Sequence, residues 1–361
     1  MIADGNWALT LARPEVRSLP ELALDDAAED ALTCATRLHA NENAYACSEP
    51  ALHHYPHMYA RTAEHAMAAL YGIHVDSLCV TRGSDEGIDL LVRTFCRPAK
   101  DAVLVFPPTF GMYGHAARVQ GCELHTVALT APDFALPADR VQSAITGATK
   151  LVFFCVPNNP TGCGVTESLI LDAAARMAGK GLVVVDEAYL EFSGRESMAR
   201  HLQRVSNMVV LRTLSKARGL AGARVGTLIA HPDVIALLRR IRLPYGIASH
   251  SMSMAVEAAT PAAQERSAIA VACIMQERAR IFEALSGLPG VERVWPSEAN
   301  FHLIRHEQPE RVVAECARAG IALRAFSDAS PGLERCLRIT LGTPEQNDRL
   351  LTCMGQARGA A

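Results

Sequence analysis

A chain of 361 residues is too long for one small core and suits a large α/β unit with a smaller companion. With 50% hydrophobic and 20% charged residues and a formal net charge of -3, it has neither a basic footprint for nucleic acid nor an acidic tail. No apolar run reaches transmembrane length, and Met1-Ile2-Ala3-Asp4-Gly5 lacks the basic start and apolar stretch of a secretion signal, so no membrane association is expected and the expected compartment is the cytosol. In chain order, the first forty-odd residues are weakly patterned and read as an arm, residues 1–46, packing with the smaller domain. Residues 61–71 read as a helix with Ala63, Met67 and Leu70 on one face. A short strand at 78–81 follows, and Gly83-Ser84-Asp85 opens a helix through Ile88, Leu91 and Phe95. Strand-like apolar runs then recur at 102–106, 124–127, 151–156, 182–185, 208–211 and 225–230, most of them separated by helical segments. Such alternation predicts a mainly parallel, seven-stranded sheet covered on both faces, in a large domain of residues 47–250. After Pro244-Tyr245-Gly246 the pattern changes to a long helix near 264–285, strands at 301–304, 321–323 and 337–340, and helices at 311–318 and 344–353. Residues 251–361 are therefore expected to form a smaller α+β domain.

The 11 cysteines include no Cys-x-x-Cys pair and are odd in number, and most sit in apolar runs. They read as buried free thiols. The 13 histidines offer no metal-ligand spacing, and no metal is expected. Lysine usage is more informative: only Lys100, Lys150, Lys180 and Lys216 occur among 35 basic residues. The first three punctuate strands or turns. Lys216 follows Leu214-Ser215 and precedes a glycine-rich stretch.

Four clusters fall at the ends of predicted strands, where open parallel sheets bind ligands. They are Pro157-Asn158-Asn159-Pro160-Thr161-Gly162, Asp186-Glu187-Ala188-Tyr189, Arg212-Thr213-Leu214-Ser215-Lys216 and Gly219-Leu220-Ala221-Gly222-Ala223-Arg224-Val225-Gly226. Taken singly, the first is a good turn and the second a strand-end acid that can cap a helix. Taken together they match the needs of pyridoxal 5′-phosphate. Its ring nitrogen requires a carboxylate to stay protonated, which Asp186 can supply. Its phenolic oxygen requires neutral donors, here Asn159 and Tyr189, and its aldehyde requires the amine of Lys216. Its phosphate requires hydroxyls, an arginine and a helix N-terminus, offered by Thr213, Ser215, Arg224 and the Gly83-Ser84-Asp85 turn. Phe110 can stack on the ring.

Asn-Pro-Thr-Gly, Asp-Glu-Ala-Tyr and Thr-Leu-Ser-Lys followed by Leu-Ala-Gly-x-Arg-x-Gly stand in the order of the fold-type I aminotransferases, which the chain resembles from about residue 37 to 350. Asn41-Glu42-Asn43, Tyr55-Pro56, Thr81-Arg82-Gly83-Ser84-Asp85-Glu86-Gly87 and Leu337-Arg338-Ile339-Thr340 resemble the histidinol-phosphate aminotransferase branch. The resemblance implies a pyridoxal-phosphate enzyme exchanging amino groups between histidinol phosphate and 2-oxoglutarate, in histidine biosynthesis. It implies catalytic roles for Lys216, Asp186 and Tyr189 and substrate contacts from Asn41, Arg324 and Arg338. It also implies a homodimer in which Tyr55 reaches the cofactor phosphate of the neighbouring subunit; from the residues alone, Tyr55 reads as a packed loop aromatic. The alternative for Arg324 and Arg338 is an internal ion pair with one of the domain's own carboxylates, such as Asp328 or Glu334. The chain departs from the family at three points: Ser18-Leu19-Pro20-Glu21 replaces a Pro-Tyr pair, Ala44 follows Asn43 where proline is usual, and Phe110 replaces tyrosine. The alternatives are a threonine-phosphate decarboxylase, which resembles this group and also binds a phosphorylated amine, and an aminotransferase of a specialised pathway. A regulatory aminotransferase-like module requires an added DNA-binding domain, for which about 40 residues ahead of the first shared motif leave little room.

Overall fold

The computed structural model describes residues 7–20, 36–38, 40–49, 52–56, 61–326 and 332–356. Seven strands form the large sheet: β1 (Leu78–Thr81), β2 (Ala102–Val105), β3 (Glu123–Thr126), β4 (Thr149–Cys155), β5 (Leu182–Asp186), β6 (Met208–Thr213) and β7 (Gly226–Ala230). Their order is β1-β7-β6-β5-β4-β2-β3, with every pair parallel except those made by β7. The strands read as unbroken apolar runs because both faces are covered. Phe153 and Val184 point into a core shared with helices Ser84–Phe95 and Pro232–Ile241, while Phe154 and Val185 point into one shared with helix Glu167–Met177. Val183, Val184 and Val185 are completely buried, each worth roughly 1.5–3 kcal/mol relative to exposure.

A second, antiparallel sheet has the order β10-β11-β9-β8, from β8 (Val291–Val294), β9 (Phe301–His306), β10 (Arg324–Ala325) and β11 (Cys336–Thr340). Helices Pro261–Ser286, Pro309–Arg318 and Pro344–Gln356 close its core around Ile281, Ile304, Val312, Leu337 and Leu350. Only the two edge strands differ from expectation. β8 was not expected, and the run at 321–323 pairs one step later, over Arg324–Ala325. An edge strand has one partner and more solvent, so its apolar pattern is thinner.

Two further expectations are corrected. Helices Trp7–Leu11 and Pro14–Arg17 pack on helix Pro232–Ile241, so these arm helices belong to the large unit rather than the small domain. Ala8, Leu11 and Val16 find their apolar partners there, and Arg240 donates to the Arg17 carbonyl. Helix Ser249–Ala258 crosses the expected boundary at 250/251, with Ala255 and Ala258 buried against Ala63 and Met67 of helix Arg61–Tyr71. Among the described residues every cysteine is free, no group of acids, histidines and cysteines can hold a metal ion, and no helix is long and apolar enough to cross a membrane.

Candidate active site

Cys155, Asp186 and Thr213 end three adjacent parallel strands, and Cys155 lies directly opposite Asp186 in register. They open onto a cavity of about 480 Å³ between the two sheets, a size suited to a small-molecule ligand. At one end is a cradle for an anion. Helix Ser84–Phe95 begins there with its unpaired N–H groups, behind Gly83 at φ 77°. A Cβ on Gly83 would lie 2.5 Å from the Arg224 guanidinium, and one on Gly226 would lie 2.5 Å from the Ser84 nitrogen. Both positions therefore require glycine. Arg224 is itself left-handed at φ 53° and donates to the Ala221 carbonyl at 3.2 Å, with Asp85 at 3.4 Å. The Thr213 hydroxyl donates to Val225 and accepts the Ser215 N–H at 3.1 Å, which shapes the turn into Lys216.

The middle of the cavity is lined by Asp186, Phe110, Asn159, Tyr189 and Lys216. Asp186 is buried; one of its oxygens accepts the Ala188 N–H at 3.1 Å and the other accepts the Tyr113 hydroxyl at 2.8 Å. Burial pushes its carboxyl up to about 6, against the pull of those hydrogen bonds. Removal from water lowers the Lys216 amine below the usual lysine range, and the charge of Arg338 lowers it further. The Tyr189 phenol is raised by burial, remains protonated, and accepts the Asn159 amide N–H at 3.3 Å. At the far end Arg338 donates to the Asn159 carbonyl oxygen. Arg324 is the cross-strand partner of Arg338, so both guanidinium groups leave the same face of the small sheet and line the cavity. Among the described residues neither has a carboxylate partner. Glu334 instead accepts the Gly332 N–H, and Asp328 lies outside the described residues, as does Glu21.

Tyr55 and Asn41 do not line this cavity. Tyr55 is half exposed and stacks on Tyr245 at 4.7 Å, and its N–H is bonded to Glu42. Asn41 is exposed, with φ 54°. Sequence reading missed Thr109, Cys155 and Phe326 on the cavity wall, and Tyr113 just behind it. Position after Pro107-Pro108 marked the loop holding Thr109; Tyr113 had no signal beyond lying three residues after Phe110.

The sequence profile of aminotransferase class I and II matches residues 23–353. The chain belongs to the class I and II aminotransferases. The histidinol-phosphate aminotransferase of Stenotrophomonas maltophilia (strain R551-3) is 42% identical to this aminotransferase over 100% of both chains. Among solved structures, the Sinorhizobium meliloti histidinol-phosphate aminotransferase in complex with pyridoxal 5′-phosphate is 23% identical, with TM-score 0.77 over 95% of this chain and 96% of that one. L-threonine-O-3-phosphate decarboxylase from Porphyromonas gingivalis shares the fold, with 20% identity and TM-score 0.72 over 86% and 92% of the two chains. Pyridoxal 5′-phosphate is the cofactor of the aminotransferase family, and the residues present fit it. The helix N-terminus at Ser84 with Ser215 and Arg224 suits its phosphate, the buried Asp186 suits its ring nitrogen, and the lowered amine of Lys216 suits its aldehyde.

Proposed function

We propose that this aminotransferase moves an amino group between histidinol phosphate and 2-oxoglutarate. The observation that carries the reading is the pair Arg324 and Arg338, two guanidinium groups without described carboxylate partners facing the cavity that Lys216 enters. Forked cations suit a phosphate in one half-reaction and a carboxylate in the other. When bound, the cofactor supplies an electron sink for the pair left at the substrate's Cα. Ser84, Ser215 and Arg224 would hold its phosphate, Asp186 its ring nitrogen, Asn159 and Tyr189 its phenolic oxygen, and Phe110 one ring face. Lys216 would hold its aldehyde carbon, and its amine, when free, would take the proton from the substrate's Cα. The lowered basicity of Lys216 favours this, because more of the amine is neutral at a given pH. The fold is shared with phosphothreonine decarboxylation, but the relative matching the whole chain at 42% identity is an aminotransferase. A panel of amines assayed for conversion of 2-oxoglutarate to glutamate is expected to rank histidinol phosphate first. Carbon dioxide release without any need for an oxoacid would instead place the enzyme with the decarboxylases.

The same reading makes the enzyme a homodimer with shared sites, Tyr55 completing the phosphate cradle of the neighbouring subunit. Its place outside its own chain's cavity, with the ring held half exposed against Tyr245, supports this. Inactive Tyr55→Ala and Lys216→Ala subunits, once mixed and exchanged, are expected to regain activity, since one hybrid site carries both intact residues. No recovery after verified exchange of two inactive variants speaks against sharing.

A further inference from the structure

Tyr113 is completely buried one layer behind the cavity, at the start of helix Met112–Val119. It touches two parts of the site at once. Its ring meets Phe110 edge-on at 5.6 Å and lies flat on Phe153 at 4.7 Å, which fixes its direction. Its hydroxyl donates to Asp186 at 2.8 Å, and the Ala188 N–H takes the other carboxylate oxygen at 3.1 Å. With one donor on each oxygen the carboxylate cannot rotate freely. We infer that Tyr113 is a positioning residue for the cofactor ring, orienting Asp186 toward the ring nitrogen and keeping it ionised while buttressing the ring-stacking Phe110.

The surroundings of Asp186 leave this task to Tyr113. Cys155 faces it from the end of β4, Asp85 from helix Ser84–Phe95, and Tyr189 and Lys216 from the connections after β5 and β6. The Cys155 and Tyr189 protons are held on by burial, Asp85 repels the charge and Lys216 attracts it. Among side chains, the Tyr113 hydroxyl gives the largest stabilisation of the charged form. Its own proton is secured, because burial and the adjacent carboxylate hold the phenol well above the tyrosine range.

The inference rests on the cofactor reading, so the test separates the two. Apoenzyme is titrated with pyridoxamine 5′-phosphate, which has no aldehyde and reports ring and phosphate binding without capture by Lys216. Tyr113→Phe keeps both ring contacts and removes only the hydroxyl, which donates to Asp186 and touches the Cys155 thiol. At pH 7 its affinity is expected to fall roughly ten- to a hundredfold, the worth of a hydrogen bond to a charged group. Losing the donor raises the Asp186 pKa further, so binding fades at a higher pH than in the wild type as pH falls. The probe's own phosphate titrates identically in both proteins. In an Asp186→Asn background Tyr113→Phe is expected to add almost nothing, since the two act as one unit. An equal loss in both backgrounds, or unchanged affinity and pH midpoint in Tyr113→Phe, overturns the inference and leaves the cofactor reading standing. Failure of the wild type to bind the probe overturns both.

Discussion

Lys216→Arg is expected to lose turnover by at least about 10²–10⁴-fold, the worth of the proton transfer alone, and to lose covalent cofactor attachment entirely. A guanidinium keeps the positive charge but neither condenses with an aldehyde nor gives up a proton near neutral pH. The purified wild type is expected to be yellow, and borohydride is expected to fix the cofactor to Lys216. Peptide mapping checks this against only three other lysines. Lys150 is tied to the Lys180 carbonyl at 2.9 Å, away from the cavity, and Lys100 and Lys180 are exposed in turns. Label on any of these would overturn the assignment of the site.

Arg324→Ala is expected to cut kcat/KM for histidinol phosphate roughly ten- to a hundredfold, while unphosphorylated histidinol loses far less. A charge-assisted hydrogen bond contributes about 1.5–3 kcal/mol, and each factor of ten in rate corresponds to about 1.4 kcal/mol. Arg338→Ala is expected to hurt both half-reactions. Arg338 also braces Asn159, which in turn bonds Tyr189, so its loss loosens that wall of the cavity as well. Steady-state kinetics on the two amines separates these effects. Equal losses on both amines in Arg324→Ala would assign that side chain a structural task and move the substrate toward a non-phosphorylated amine.

The inner strands were readable because each is buried on both faces, leaving apolar runs such as Leu182-Val183-Val184-Val185 that admit no polar residue before Asp186. The chemistry was readable for a related reason. Parallel strands place their carboxyl ends along one edge, so polar residues at those ends converge there without knowledge of the packing. What required the packing was everything that depends on a second element. Tyr113 stands 73 residues before Asp186, and only helix docking on the sheet brings them together. The arm was assigned to the small domain because helices of five and four residues are too short for a hydrophobic period to signal a partner. Helix Ser249–Ala258 was divided at a change of pattern, although its small residues pack back on the large unit. Tyr55 and Asn41 lie outside the cavity of their own chain, where no strand end announces them.

The antiparallel return of β7 on β6 keeps Lys216 and Arg224 together at one side of the cavity. Thr213 pairs with Gly226 and Leu214 with Val225, so the segment carrying Lys216 and Arg224 leaves and re-enters the sheet at adjacent points. Lys216, Arg224 and Asp186 are thus carried by one sheet, whereas Arg324 and Arg338 are carried by the other, joined to the first group within the cavity through the bond from Arg338 to Asn159. The architecture is modular in consequence. Arg324 on β10 can vary to suit a different amine while the strand-end residues of the large sheet stay fixed, whereas a change at Arg338 is felt in both, which gives the scaffold a route to new substrates that does not pass through loss of its chemistry.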